Sequence, residues 1–203
     1  VQSMSFSLYR ATVALVVFSL SSLLHAEAPR IAPALSELVA SKQQDPEAEV
    51  LTSIRHATLN QDGSWQSRWY LAIRVNSQDA ARDYGRISIP YNHYYTSMEL
   101  EFTNTLNKNA ELKSVLESAI QNRITGGGQD FYSDRSELVF SLPDIEPGSV
   151  IEFQYTKTSK INPLEGLYSP VSMPHWFQST AANDGWRADY VHRHEFRLQT
   201  PKT

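Results

Sequence analysis

The chain has 203 residues, a formal net charge of −4 at pH 7 and no cysteine. This length suits one domain together with an export segment, and the mixture of apolar and charged residues is ordinary for a globular protein. The acidic balance argues against a nucleic-acid partner, because phosphate binding needs clustered lysine and arginine. The lack of cysteine excludes thiol nucleophiles, disulfides and thiolate metal sites.

A signal peptide is predicted over residues 1–26. Arg10 precedes an apolar run, 11–24, and Ala26 and Ala28 form a small-x-small cleavage site. The competing interpretation is an uncleaved membrane anchor, but a spanning helix needs about 20 predominantly apolar residues and serines interrupt this run. We therefore expect a periplasmic or secreted protein, which is attached to a membrane only if this segment is not cleaved.

The next segment, residues 27–46, is predicted to be a linker or a short helix. Leu35, Leu38 and Val39 share one face at helical spacing. Beyond this segment the apolar residues alternate with polar ones, so residues 47–203 are predicted to form a domain of β-strands.

Four segments of this domain alternate apolar and polar side chains with a period of two, which is typical of half-buried strands. The apolar positions are Trp69, Leu71, Ile73 and Val75; Met98, Leu100 and Phe102; Leu138, Phe140 and Leu142; and Ile151, Phe153 and Tyr155. Each set is expected to face a core. The residues between them, such as Tyr70, Arg74 and Glu101, are expected to face water.

Turn signals separate the predicted strands. They lie at 60–63, 107–109, 143–144 and 146–148. Many amphipathic strands and few short helices predict an all-β fold, an antiparallel β-sandwich. Two segments do not fit this pattern, because 111–121 has helical spacing and 157–188 has the composition of a long loop or irregular crossing.

Two histidines near the end of the chain are candidate metal ligands. Residues two apart in a strand project to the same face, so His192 and His194 are predicted to lie side by side, together with Phe196 and Leu198. A third ligand such as His175, or an acidic residue, could complete a metal site. Half-buried histidines in sheets also commonly hydrogen-bond to neighbours, and no other cofactor is expected.

Three aromatic residues favour a carbohydrate-binding module as another interpretation. Trp176, Trp186 and Tyr168 lie in the predicted loop region, where exposed rings could stack on sugars. Loop tryptophans also plug the open ends of sandwiches, which is the competing explanation. Trp69 alternates with core positions and is expected to be buried.

The remaining polar patterns predict no catalytic residue. The carboxylate pairs Asp144–Glu146 and Glu99–Glu101 could serve a glycosidase in principle, but a turn and the polar face of a strand explain them structurally. The glycine run 126–128 lacks the lysine and hydroxyl residue of a phosphate-binding loop. The sequence also lacks the Gly-x-Ser-x-Gly motif of a nucleophile elbow.

Several segments together resemble one bacterial family. They are Asp62–Gly63, Asp83–Asn92, Phe131–Arg135, Leu142–Tyr155, Trp176–Gln178 and His194–Pro201. From about Glu49 onward the chain resembles domain of unknown function 3857 (DUF3857), the module that precedes a transglutaminase-like core in many exported bacterial proteins. The most specific part is Pro-Asp-x-x-Pro-Gly-Ser-x-Ile-Glu at 143–152, in which Pro147-Gly148 makes a tight turn between two strands.

The resemblance changes three expectations. It implies a hairpin around Asn107–Val115, followed by irregular chain, in place of the helix that the spacing predicts. It implies that catalytic residues of the Cys-His-Asp type belong to a downstream domain, so none is assigned here. Relatives continue with further strands after the segment equivalent to Phe196–Pro201, so the domain is expected to be incomplete at its C-terminus.

These observations predict a non-enzymatic exported module that serves interaction or scaffolding. It would position a transglutaminase-like domain against a protein or peptide substrate. The alternatives are a carbohydrate-binding module that uses the three aromatic residues, and a metal-dependent hydrolase that uses His192 and His194.

Overall fold

A computed structural model describes residues 31, 34–45, 47–125, 135–160, 178–179, 187–188 and 190–201. The predicted signal peptide, with Ala26 and Ala28, lies outside these ranges. No helix in the described part of the chain is long and apolar enough to cross a membrane.

Strands make up most of the described chain. They are β1 (Ala48–Leu59), β2 (Trp65–Val75), β3 (Arg86–Asn92), β4 (Thr96–Leu106), β5 (Leu112–Ser114), β6 (Ile120–Ile124), β7 (Arg135–Ser141), β8 (Val150–Ser159), β9 (Gln178–Ser179), β10 (Arg187–Ala188), β11 (Tyr190–Val191) and β12 (His194–Gln199). The helices are α1 (Leu35–Val39), α2 (Gln78–Tyr84) and a 3-10 turn at Glu117–Ala119.

These strands form a large sheet, a small sheet and the separate β9–β10 pair. The large sheet has the order β11–β1–β2–β8–β4–β5, and β12 also lies along β1. The small sheet has the order β3–β7–β6. All pairs are antiparallel, except that β11 and β12 run parallel to β1.

The large sheet and the small sheet pack against each other, and their facing sides form the main core. Leu71 of β2 and Phe153 of β8 pack in one cluster with Ile89 and Phe140 from the small sheet. Burying one such side chain contributes about 1.5–3 kcal/mol to the free energy of folding. Trp69 is buried in the same cluster, as predicted. The all-β sandwich with few short helices is therefore confirmed.

The outer face of the large sheet is buried as well, which the alternation pattern does not predict. Tyr70 and Arg74 are both buried although the pattern places them in water. The reason is that the chain before β1 returns across this face, where Ile31, Leu35 and Leu38 pack against it. The segment predicted as a linker or short helix thus contains α1 and covers one side of the sandwich.

Helix α1 is held to the sheet by polar contacts in addition to its leucines. Arg74 Nη2 donates to Val39 O at 2.8 Å and to Ser41 Oγ at 3.1 Å. Val39 itself is exposed, contrary to the shared helical face that the spacing predicts. The helix has five residues and ends at Val39, so its face is too short to bury all three apolar positions.

A β-bulge in β4 changes the direction of two predicted side chains. The register with β8 shifts between Leu100 and Phe102, which makes Glu101 the extra residue. Leu100 packs in the inner core, whereas Phe102 packs on the outer face. The Glu101 side chain is only 4% exposed and accepts hydrogen bonds from Arg68 Nε and Gln154 Nε2. The predicted exposure of Glu101 is wrong for this reason.

The hairpin implied by the family resemblance is confirmed. β4 and β5 pair antiparallel with Asn104 opposite Ser114. The helical spacing at 111–121 instead covers β5 and the 3-10 turn, and β6 follows where irregular chain was expected. Within 157–188, β8 continues to Ser159, and β9 and β10 form a short pair.

The predicted tight turn before β8 is also present. Ser149 N donates to Glu146 O at 2.9 Å across Pro147 and Gly148. Gly148 has a φ of 96°, a backbone conformation that side-chain-bearing residues rarely adopt. The Pro-Gly pair therefore sets the entry of β8 into the large sheet.

Candidate functional site

The edge of the large sheet beyond β1 is built from the last described part of the chain. β11 and β12 lie in line along β1, and a two-residue break separates them. At the break His192 N donates to Val50 O, and Ser53 N donates to Arg193 O, both at 2.9 Å. The chain thus stays paired to β1 through the break. The strict alternation of side chains between the two faces is interrupted there, so residues on the two sides of the break need not follow one pattern.

His192 lies on the outer face of the sheet, in contact with a buried carboxylate. Its Nε2 is 2.7 Å from Glu49 Oε2, and Arg74 Nη1 donates to Glu49 Oε1 at 2.7 Å. Gln44 N also donates to Glu49 Oε2. Burial favours the neutral acid, but the hydrogen bonds from His192, Gln44 and Arg74 outweigh burial and hold the pKa of Glu49 below its ordinary value.

His194 is directed to the opposite face from His192. It is in register with Ser53 of β1, and Ser53 lies opposite the core residue Leu71 of β2. The side chain of His194 therefore lies on the inner face of the sheet. The strand break therefore separates the two histidines that strict alternation would place together. In the described residues no group of three or more histidine, cysteine, aspartate or glutamate side chains is placed to hold a metal ion. His175 lies outside these residues.

The inner face of β12 presents apolar side chains to solvent. Phe196 and Leu198 are 44% and 46% exposed, and they are in register with Arg55 and Ala57 of β1. The Arg55 guanidinium carbon lies 4.5 Å from the ring centre of Trp69 and 5.6 Å from that of Phe196. We call Phe196, Leu198 and Arg55 the β12 shelf. Neighbouring exposed apolar groups of this kind are typical of contact surfaces.

The outer face of β12 carries charges instead. Glu195 makes ion pairs with Arg193 and Arg197 and lies 3.6 Å from His56 Nε2. The hydrogen bond from Arg193 is the main reason that the pKa of the Glu195 carboxyl is below its ordinary value. β12 is thus amphipathic, with an apolar side and a charged side.

The paired carboxylates weighed as glycosidase residues are engaged in other contacts. Lys113 pairs with Asp144, and Lys108 Nζ lies 2.8 Å from Glu146 Oε2. These two pairs join the β4–β5 hairpin to the turn before β8. Of the other pair, Glu99 is exposed while Glu101 is buried as described above.

A groove lies at the end of the small sheet, and no sequence motif predicts it. It encloses about 580 Å³. Its lining residues are Pro90, Tyr91, Asn92, Thr125, Arg135 and Glu137. They lie in β3, in β7 and at Thr125 directly after β6, so only the pairing of these strands brings them together.

The sugar-binding candidates Trp176, Trp186 and Tyr168 lie outside the described residues. The glycine run 126–128 does so too. The carbohydrate-binding interpretation therefore stays a prediction.

The fold is similar to part of a solved structure. A candidate protease of Parabacteroides distasonis matches 57% of this chain at 23% sequence identity and a TM-score of 0.53. This chain spans 24% of the length of that structure. A scaffoldin CBM3a-L domain of Clostridium thermocellum matches 57% of this chain and 69% of its own length, at 9% identity and a TM-score of 0.31.

Comparison of the sequence with protein-family models identifies the family of this chain. No curated protein matches this sequence. The family described as Domain of Unknown Function with solved-structure structure (DUF3857) has a model that matches residues 61–203. The matched range includes the Pro-Asp-x-x-Pro-Gly-Ser-x-Ile-Glu segment and both β11 and β12. This chain belongs to the DUF3857 family.

Proposed function

We propose that this chain is a non-catalytic exported module that binds a protein partner and positions a transglutaminase-like domain against protein or peptide substrates. The observation that carries the proposal is the β12 shelf. Its two apolar side chains are exposed at the edge of the sandwich, beside the aromatic-stacked Arg55. Aromatic residues and arginine are enriched in protein interfaces, where partly desolvated rings contribute much of the binding energy.

The contacts of the ionisable groups also support a structural role for them. Glu49, Glu101 and Glu152 each accept hydrogen bonds from side chains of neighbouring strands on the outer face of the large sheet. Such pairs orient strands and satisfy buried polar atoms. A catalytic carboxylate would instead need to reach a substrate.

Binding to a purified transglutaminase-like domain tests the proposal. We expect the chain to bind such a domain from a family member that carries both modules, with its own DUF3857 module removed. Phe196→Ser and Leu198→Ser should each weaken binding about tenfold or more, because they remove apolar contact area at the shelf. Isothermal titration calorimetry measures the dissociation constants.

Leu112→Ser provides the matched control. Leu112 is also apolar and 56% exposed, but it lies in β5 at the opposite edge of the large sheet. Equal losses at Leu112 and Phe196 would contradict the role of the shelf. Peptidase or acyl-transfer activity of the purified chain above background would overturn the non-catalytic part of the proposal.

A further inference from the structure

The carboxylate of Glu49 is bound from two sides, by the chain before β1 and by the chain after β11. We call Ile31 and residues 34–44 the cover, because their apolar side chains pack on the outer face of the large sheet. Gln44 N of the cover donates to Glu49 Oε2 at 2.9 Å, and His192 Nε2 lies 2.7 Å from the same oxygen. A carboxylate only accepts hydrogen bonds, so His192 donates through Nε2. One oxygen atom thus binds two segments that are far apart in the sequence.

Arg74 makes a second connection between the cover and Glu49. Its Nη1 donates to Glu49 Oε1 at 2.7 Å, while its Nη2 donates to Val39 O at 2.8 Å and to Ser41 Oγ at 3.1 Å. The cover therefore fixes the position of the guanidinium. The guanidinium in turn fixes the carboxylate that His192 binds.

The bond between His192 and Glu49 depends on the exclusion of water from this site. The Glu49 side chain is completely buried, and the side chains of Arg74 and His192 are 10% and 19% exposed. Hydrogen bonds to charged groups are stronger in a site of low dielectric than in water, where solvent competes for the same atoms. Lifting the cover removes the Gln44 donor and admits water to the ion pair, so the bond to His192 weakens.

The His192–Glu49 bond also helps to hold β11 against β1. Beside it, His192 N donates to Val50 O and Ser53 N donates to Arg193 O, both at 2.9 Å. Because β11 has only two residues, each such bond is a large part of what holds this segment in place. The Ser53 amide reports the pairing, since its hydrogen bond breaks whenever Arg193 leaves β1.

We propose that Glu49 couples the docking of the cover to the docking of β11, so that lifting the cover loosens β11 and releasing β11 loosens the cover. The coupling is reciprocal, because the same carboxylate stabilises both segments. β12 follows β11 and carries the β12 shelf, so a partner that lifts the cover would also loosen the strand that precedes the shelf. This inference goes beyond the proposed function, because it holds whether or not the shelf binds a transglutaminase-like domain.

Hydrogen exchange followed by NMR tests the coupling in the full chain. The double substitution Leu35→Ser with Leu38→Ser removes apolar anchors of the cover. We expect the Ser53 amide of this variant to exchange about fivefold faster or more, which is the lower end of typical coupling between two sites. His192→Ala tests the reverse direction, and it should speed exchange of the Gln44 amide by about fivefold or more.

The combined variant shows whether Glu49 carries the coupling. When His192→Ala is added to the two leucine substitutions, the Ser53 amide should exchange no faster than in His192→Ala alone, because the shared bond is already lost. Ile120→Ser is the matched control. Ile120 is also a partly buried apolar residue, but it packs against the inner core from β6. Its replacement should leave exchange of the Ser53 amide unchanged.

Three results would overturn the proposal. The first is an unchanged Ser53 amide in the leucine variant, and the second is an equal acceleration in Ile120→Ser. The third is a combined variant in which the separate accelerations multiply, because the two segments would then open independently. If the leucine variant does not fold, His192→Ala still decides the matter, since an unchanged Gln44 amide in that variant would contradict the coupling by itself.

Discussion

Glu49 is a buried carboxylate with both oxygens engaged, Oε1 by Arg74 and Oε2 by His192. Glu49→Gln would remove the charge that compensates the buried guanidinium of Arg74. Breaking a buried ion pair on one side costs about 3–5 kcal/mol, because the other charge is left unpaired. We expect a loss of that size in the free energy of unfolding, measured by urea denaturation.

Glu99→Gln is the control for this substitution. Glu99 is an exposed carboxylate on β4, and substitutions at exposed sites change stability by about 0.5 kcal/mol or less. The double variant Glu49→Leu with Arg74→Met should recover part of the loss, because it leaves no unpaired charge. Equal losses for Glu49→Gln and Glu99→Gln would contradict the role given to the buried pair.

The lowered pKa of Lys157 leads to a second prediction, in which the stability of the fold depends on pH. Burial, with Arg55 nearby, lowers the pKa of Lys157 to about 8 from its ordinary value of 10.5. Between these two values the unfolded chain binds more protons than the folded chain, so stability rises with pH there. The free energy of unfolding of Lys157→Met, relative to that of the wild type, should therefore be highest below about pH 8 and should fall as the pH rises from about 8 to 10.5.

Urea denaturation at a series of pH values measures the effect. Lys160→Met is the control, because Lys160 is exposed near the end of β8 and its Nζ donates to His93 O at 2.9 Å. A constant difference between Lys157→Met and the wild type across this range would contradict the prediction.

Histidine placement shows the limit of prediction from spacing at the residue scale. The sequence places His192 and His194 two apart, and alternation predicts one shared face. The break between β11 and β12 depends on pairing with β1, which lies more than a hundred residues earlier. No local signal marks that break, whereas the burial of Trp69 follows from its own strand and is predicted correctly.

At the scale of elements, Ile31 and residues 34–44 act as a cover for the outer face of the large sheet. Ile31 N donates to Gln154 Oε1, Gln44 N donates to Glu49, and Leu35 and Leu38 pack on the same face. Removing residues 1–45 should lower the free energy of unfolding by about 2–4 kcal/mol, from lost apolar burial and newly unpaired polar groups.

The matched control for this truncation removes residues 1–30 only. It keeps every contact of the cover, so its thermal midpoint should stay close to that of the full chain. If removal of 1–45 changes the midpoint no more than removal of 1–30, the segment is a linker without a structural role. Differential scanning calorimetry on the three chains makes the comparison.

Elements were predictable wherever local chemistry alone sets them. The period of two identifies β2 and β8, and Pro147-Gly148 identifies the turn before β8. Helix α2 was missed although Ser77 caps it, with Ala80 N donating to Ser77 Oγ at 3.1 Å, because the helix is short and only weakly amphipathic. The β4 bulge and the burial of the outer face depend on distant chain, so no strand pattern reveals them.

At the scale of the whole molecule, the buried core of the described residues is formed by chain that precedes the edge strands β11 and β12. The buried residues of the main cluster lie between Val50 and Tyr155, and Val191 joins only as a partly buried neighbour. The edge strands β11 and β12 reach β1 by a parallel pairing across a large sequence separation. Contacts of such separation carry a high entropic cost of loop closure, so we expect them to form late in folding.

A chain that ends at Lys160 should therefore still fold into the sandwich. It keeps β1 to β8 and both packed faces, but it loses the His192–Glu49 contact and leaves β1 as an open edge. We expect lower stability than that of the full chain, with a cooperative unfolding transition retained. Tryptophan fluorescence can follow it, since Trp65 and Trp69 remain and Trp69 is buried in the core. Absence of a cooperative transition in this shortened chain would mean that β11 and β12 are required for the core itself.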